Sequence, residues 1–472
     1  MSARTLLLLA IVALGACGED RKAASGDREP VVIEVPAEPP RADSPAPNEP
    51  PPSAPLEPVE VTPLPGAEVP GPVYLAIDTK GVVKLDQDGA TLVLDRPERN
   101  IEDLFVGPDG AAYLLDARSL RKLDGERVSE VARFGSSEVA PVVELALAPN
   151  GGIWATGSRG VGHYHDGRWT LSSREQLGLG FNTSLAVALD GTVWLAGSTK
   201  LLRRPAAGDE WELVEVSALG RVPLLLDLST SPSGAVLATN GKQLIRLAGE
   251  QPELIPLAGA ERIAYTAGLS IAADGSLALA SGGCELLRLG PDGRGEAWRF
   301  AGEGYACESL EAMAIDARRR IWVASREGLS VIDEGGQVVE YPAGSFAALA
   351  GRVSHMVALG RGPELPEAGE LATASLIGQF MLDETPLAKV ELEVCPSVRL
   401  RREGSPCSAA RLRFETRTDA QGKFRLDGVP IGDYSFAVEV EGAWRWTSPP
   451  SFAAELRPGQ THDLGILVLA KA

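Results

Sequence analysis

The stretch ALDGTVWLAGS (Ala188–Ser198) is one copy of a unit that recurs along most of the chain. APNGGIWATGS begins at Ala148 and GPDGAAYLLDA at Gly107, while SPSGAVLATNG, AADGSLALASG and DARRRIWVASR begin at Ser231, Ala272 and Asp316. A shortened copy, GPVYLAID, begins at Gly71. Aligned on the turn, Gly71, Gly110, Gly151, Gly191, Gly234, Gly275 and Arg319 fall 39 to 44 residues apart, a period of about 41 seen seven times.

Each copy has the same internal order. An apolar run (SLAVAL, VVELALA, LEAMAI) leads into a tight Asp-Gly or Asn-Gly turn, then a second run carrying Trp or Tyr. A third run (TKLLRR, CELLRL, GLSVID) and, past another turn, a fourth (WELVEV, RWTLSS, AWRF) complete it. Asp-Gly and Asn-Gly suit hairpin turns because they accept positive φ. Helical periodicity is missing, so four short strands per repeat predict the blade of a β-propeller. The copy at Gly71 lacks a first strand, and RVSHMVALG (Arg352–Gly360) is a first strand with no second after it. The simplest closure joins the two into one blade, giving seven blades over 71–362. A six- or eight-bladed count remains the rival if the weaker fourth and fifth copies mislead. Trp154, Trp194 and Trp322, with Tyr74 and Tyr113, share one slot in the second strand. Side chains alternate along a strand, so Val193 and Leu195 should face one neighbouring blade and Trp194 the other. Trp169, Trp211 and Trp298 recur at the start of the fourth strand and read as packing residues.

The N-terminus is organised differently. MSARTLLLLAIVALGACGED places Arg4 before an apolar run from Leu6 to Leu14, too short to span a bilayer but suited to a signal-peptide core. The run ends in Leu14-Gly15-Ala16-Cys17, which resembles the bacterial lipobox. That resemblance implies a signal peptide over 1–16 and acylation of Cys17, with an ordinary secretory peptide as the bland alternative. From 17 to 70 the chain is rich in Pro, Glu and Ala and cannot bury enough apolar surface to offset its ordering entropy. It reads as a disordered stalk, and proline favours polyproline II at about 3.1 Å per residue, a reach on the order of 100 Å.

The 472 residues carry a formal net charge of -19 and a pI near 4.8, which argues against nucleic acid or an anionic lipid surface as partner. With Cys17 set aside, Cys284, Cys307, Cys395 and Cys407 remain, and in an exported chain four cysteines suggest two disulfides. Pairing within domains favours 284–307 and 395–407. Cys284 follows a second strand and Cys307 precedes a first strand, so both belong to loops on one face of the ring. The loop face bearing them is the expected interaction surface.

Candidate chemistry is sparse. His163 and His165 in GVGHYHDG lie two apart on an expected third strand, a possible start of a binding or acid–base site, or simply an exposed strand. His355 falls in the closing strand. Arg318, Arg319 and Arg320 replace the Asp-Gly turn in the seventh repeat and suggest a site for a carboxylate or phosphate, or a solvated turn. LDQDGA (Leu85–Ala90) is too short for a calcium loop. No nucleophile elbow, HExxH, Walker loop or dinucleotide fingerprint occurs, so no catalytic residue, metal site or cofactor is assigned.

GGIWATGSRGVGHYHDG and RRIWVASREGLSVIDEGG resemble the propeller repeats of two-component-regulator sensors. No kinase or DNA-binding segment accompanies them, so the resemblance implies the fold and not the sensory role. Similar repeats occur in streptogramin-lyase-like propellers, which use histidine chemistry. Past GRGPELPEAGE the period stops, and 363–370 reads as a hinge. Over 371–472, Thr416, Thr418, Asp419, Gly422 and Phe424, then Gly428, Val429, Pro430, Gly432 and Tyr434, resemble the carboxypeptidase regulatory-like domain. That resemblance implies a transthyretin-like β-sandwich without catalytic residues. Phe424, Leu426, Tyr434, Phe436 and Val438 should fill its core, and Trp444 and Trp446 alternate on one strand.

The whole chain is therefore expected to be all-β: a seven-bladed β-propeller followed by a small β-sandwich, behind a disordered N-terminal stalk. The expected role is non-catalytic binding or scaffolding at the bacterial envelope, held to the membrane by a lipid anchor, with an envelope protein or glycan as partner. The alternative is a lyase or hydrolase acting in the central funnel through His163 or His165.

Overall fold

The computed structural model describes residues 63–469 apart from 79, 96–100, 117, 135–138, 140–141, 180–183, 198–199, 215–226, 232–233, 240–243, 249–250, 256–265, 282–284, 291–294, 300–309, 397–403, 409 and 448–455. Cys17, Cys284 and Cys307 lie outside these residues. Among the described residues no helix is long and apolar enough to cross a membrane.

Seven four-stranded antiparallel sheets form the ring. Blade four shows the pattern: Ser184–Val187, Val193–Ala196, Leu201–Arg204 and Glu212–Val214 follow one another outward. Its 1–2 turn is closed by Ala188 N–H to Thr192 O (2.8 Å) and Gly191 N–H to Ala188 O (2.9 Å). The same pair of bonds recurs in blades two, three, five, six and seven. The residue at the tip has positive φ each time, from +76° at Gly110 to +89° at Gly275, which explains the glycine period. Arg319 occupies that slot in blade seven at +60°.

Blade one is assembled from both ends of the ring. The late strand Val353–Gly360 pairs antiparallel with Pro70–Ile77, which continues to Gly81–Asp86 and Gly89–Asp95. Successive first strands of all seven blades pack against one another around the axis, and Val353–Gly360 takes its place between Leu310–Ile315 and Ile101–Val106. Seven blades and two-ended closure are thus as expected.

Second-strand side chains divide between neighbours as the alternation requires. Val193 and Leu195 pack with Trp154 and Val161 of blade three, while Trp194 packs with Leu228, Val236 and Ile245 of blade five. Trp322 plays the same part across the closing seam, packing against Val73 and Leu75.

The C-terminal part is a two-sheet sandwich. In one sheet Thr373–Leu382 lies between antiparallel Lys423–Pro430 and parallel Thr461–Leu469. The other runs Phe414–Arg417, Glu391–Cys395, Ser435–Val440, Ala443–Thr447. Phe424, Leu426, Tyr434, Phe436 and Val438 all join its core with Phe380 and Leu392. Cys395 and Cys407 form a disulfide with Cα atoms 5.8 Å apart. Trp444 packs beside it, and Trp446 is exposed.

Trp194 is 1% exposed and packs both with Ala186 and Leu201 of its own blade and with Leu228, Val236 and Ile245 of the next. Trp194→Ala should cost about 3–5 kcal/mol. Urea unfolding will show this as a lower midpoint at unchanged slope.

Candidate functional site

Gly160–His165 is the third strand of blade three, separated from the first by Ile153–Gly157. His163 therefore stands outside the channel wall. It stacks on Trp154 (centroids 4.2 Å, 10° between planes) and is followed in the same stack by His165 (5.7 Å, 5°). The Arg204 guanidinium lies 4.9 Å from the Trp154 ring centroid, and Trp211 meets the same ring edge-on. Burial, then Arg204, then His165 push the His163 pKa below its usual value. This is a packed aromatic ladder with its outer rung, His165, 48% exposed at the side chain. A funnel mechanism that depended on these histidines has lost them to the outer part of the blade. His355 sits on the closing strand, its Nδ1 3.2 Å from Ser354 Oγ. Among the described residues no group of three or more His, Cys, Asp or Glu side chains is arranged to hold a metal ion.

The three arginines of blade seven each meet groups of this chain. Arg320 is buried and donates to Asp316 (Nε···Oδ2 2.8 Å) and to the carbonyls of Arg361 (2.9 Å) and Pro363 (2.7 Å). Trp322 Nε1 donates to the same Asp316 oxygen at 2.9 Å. Burial pushes the Asp316 carboxyl above its usual range even with Arg320 beside it. Arg318 pairs with Glu364, and Arg319 with Glu334 at 2.6 Å. At the expected anion site Arg319 pairs within the blade, while Arg318 and Arg320 form a strap that binds residues 361–364 to blade seven. Tyr341 extends it by donating to the carbonyl of Pro366 at 2.8 Å. The segment read as a hinge is tied down along its first half.

Sequence reasoning missed a second cluster, on the opposite face, where 2–3 turns and 4–1 connections emerge. Here the sandwich meets blades seven and one. Ala372 N–H donates to Gly344 O (2.9 Å), Arg411 N–H to Glu327 Oε1 (3.2 Å), and the Arg411 side chain pairs with Glu340 (2.7 Å). A narrow cleft between the two parts has an apolar floor that includes Leu75, Leu329 and Phe346, with Arg326, Arg352 and Asp433 at its polar end. Glu311, beside the cleft, is 5% exposed at the side chain; one of its oxygens lies 3.0 Å from Arg326 Nε and 3.1 Å from Arg352 Nε. Arg352 also reaches Asp78 at 4.0 Å. Burial is the main reason the Glu311 and Asp433 carboxyls are pushed up, with Arg326 and Arg352 opposing it. The cluster has the means to hold and orient. It offers no activated nucleophile.

One further element positions these faces. The stretch before the first strand runs from blade six to blade two: Leu64 N–H donates to Ala273 O at 2.8 Å. In blade two, a Cβ on Gly110 would lie 2.2 Å from Pro65 O. Val69 O accepts from Arg361 N–H at 3.0 Å, and Ala67 is 3% exposed. Blades six and two flank blades seven and one, so the stretch lies over the axial mouth at the 1–2 turn end.

No protein-family model matches the chain, and no curated protein matches it. Similar solved structures include virginiamycin B lyase from Staphylococcus aureus, at 12% identity over 51% of this chain and 83% of that one, with a TM-score of 0.40. Another is the extracellular domain of a B. thetaiotaomicron protein described as a one component system (10%, 84% and 62%, TM-score 0.42). A third, from the same organism, is the extracellular domain of a protein described as a hybrid two component system (11%, 77% and 55%, TM-score 0.38). All three TM-scores lie below 0.5, and no activity, ligand or compartment is carried over from them.

The two kinds of arginine in blade seven should respond in opposite ways. Arg320→Ala strands a buried Asp316 and should cost about 3 kcal/mol or more. Arg319→Gly removes positive-φ strain at the expense of an exposed ion pair, and should keep stability or raise it by up to about 1 kcal/mol. Thermal unfolding of both variants checks this; equal losses in the two would contradict the assignment of the strap to Arg320 rather than Arg319.

Proposed function

We propose that this protein is an exported, lipid-anchored binding or scaffolding module of the bacterial envelope. It carries its C-terminal sandwich as a carboxypeptidase regulatory-like accessory and presents its 2–3 and 4–1 loop face to an envelope protein or glycan. The observation that carries this reading is the placement of Leu64–Val69 over the opposite mouth. The described chain begins on that side of the ring, opposite the 2–3 and 4–1 loop face. The sandwich borders the same loop face and extends it. The sequence places Cys284 and Cys307 in loops of that face, where a disulfide would stiffen the surface offered to a partner. The outward position of His163 and His165 on the third strand counts against the lyase reading.

Two measurements test it. Cys17→Ser should move the protein from the membrane to the soluble fraction; retention in membranes would count against acylation. For the face, Ser158→Cys in the 2–3 turn of blade three and Asp190→Cys in the 1–2 turn of blade four can each carry a long polyethylene-glycol maleimide. Capture of components from a detergent-solubilised envelope fraction should fall tenfold or more with the adduct at 158 and stay unchanged at 190. The reverse pattern would place the interaction on the other face.

A further inference from the structure

The junction between propeller and sandwich contains a carboxylate that the clasp does not satisfy. Glu311 stands in LEAMAI, the first strand of blade seven, where the residues after it are apolar and buried. One of its oxygens faces Arg326 and Arg352; the other, Oε2, is buried with no hydrogen-bond partner. A buried carboxylate oxygen without a donor is costly when charged and becomes a neutral O–H when protonated. Asp433, at the sandwich corner that closes over this strand, adds a second negative charge to the same two arginines. Asp78, from the end of the second strand of blade one, adds a third facing Arg352 and Asp433. Three carboxylates thus share two guanidinium groups at a contact between two packed bodies.

We propose that this junction is an acid-tightened clasp, in which proton uptake by the Glu311–Asp433 pair holds the sandwich to blades seven and one more firmly at mildly acidic than at neutral pH. The sign follows from the geometry. Separating the two parts returns Asp433 to water and takes its charge away from Glu311, so both carboxyls then lose a proton more easily; packing them together makes the proton harder to remove. Both groups are pushed above the ordinary carboxylate range mainly by burial. A group whose packed-state pKa is raised favours packing below its ordinary value and loses that contribution as pH rises through the raised one. Asp109 and Asp427 behave oppositely. Lys122 draws Asp109 below its usual range and Arg425 does the same to Asp427, so their contributions fade in acid. A whole-molecule melting curve mixes these effects, and the readout must be local.

Hydrogen exchange on the full chain supplies it. The reporters are backbone amides of 343–352 and 431–433, corrected for the intrinsic pH dependence of exchange. In the unaltered protein their protection should rise on the order of threefold to tenfold between pH 7.5 and pH 4.5. Glu311→Gln and Asp433→Asn should each flatten that rise and leave protection high at both pH values. Arg411→Ala, which removes the Glu340 pair at the same contact, should lower protection at every pH without changing the rise. Should Glu311→Gln fail to fold, Asp433→Asn carries the test. Protection that is flat in the unaltered protein, or a rise that persists in Asp433→Asn, would overturn the clasp. Neither result bears on which face binds a partner.

Discussion

No blade of this ring can satisfy its own sheet. Four strands of three to eight residues present apolar side chains on both faces, and each face is covered only by the next blade. Removing that area from water, at about 25 cal/mol per Å², requires an unbroken circle. The residues that set the spacing are the aromatic ones in the second strand. Tyr74, Tyr113, Trp154, Trp194 and Trp322 each fill the gap to the following blade. In blades five and six Leu237 and Ala278 stand in the same slot, so the wedge is not repeated there.

A circle must also be closed, and closure is where this chain concentrates its polar interactions. Pairing Pro70–Ile77 with Val353–Gly360 joins segments nearly three hundred residues apart, an entropic cost on the order of 5 kcal/mol for a flexible loop of that length. Four devices cross the seam between blades seven and one. Trp322 packs over it, Asp316–Arg320 ties down residues 361–363, the 63–69 stretch bonds to Arg361, and the sandwich clasps both blades on the other face. Blades four and five, by comparison, meet through a cluster of apolar side chains with two hydrogen bonds added, Leu228 N–H to Ser184 Oγ and Thr230 Oγ1 to Val187 O.

This division explains what was legible in the sequence. Blades are local objects: the turn, its glycine and the aromatic slot recur at fixed spacing, so the fold and the closing strand were readable from the repeat. Cys395 and Cys407 were readable because they sit close together in one module. The polar clasps are not local. Asp78, Glu311, Arg326, Arg352 and Asp433 come from five separate stretches, and no spacing links them. Their one sequence signal was the acidic residue in LEAMAI, a charge in a strand whose neighbours are apolar. Arg318, Arg319 and Arg320 were conspicuous as a basic run, yet their meaning lay in Glu364, Glu334 and Asp316, and sequence alone does not say that these face them.

The two faces of the ring are consequently unequal in a way a bare propeller would not be. Where the chain enters, the mouth is covered by backbone that is bonded at both ends and backed by Gly110, whose missing side chain makes room for Pro65. On the far side, the added body is attached through charges that burial has made sensitive to protons. The entry face is held by main-chain bonds, close packing and the buried Asp316–Arg320 pair. A clasp of carboxylates and guanidinium groups can change, because adding one proton alters its balance. A pH response of the sandwich contact is therefore to be sought at this junction, beside the 2–3 and 4–1 loops.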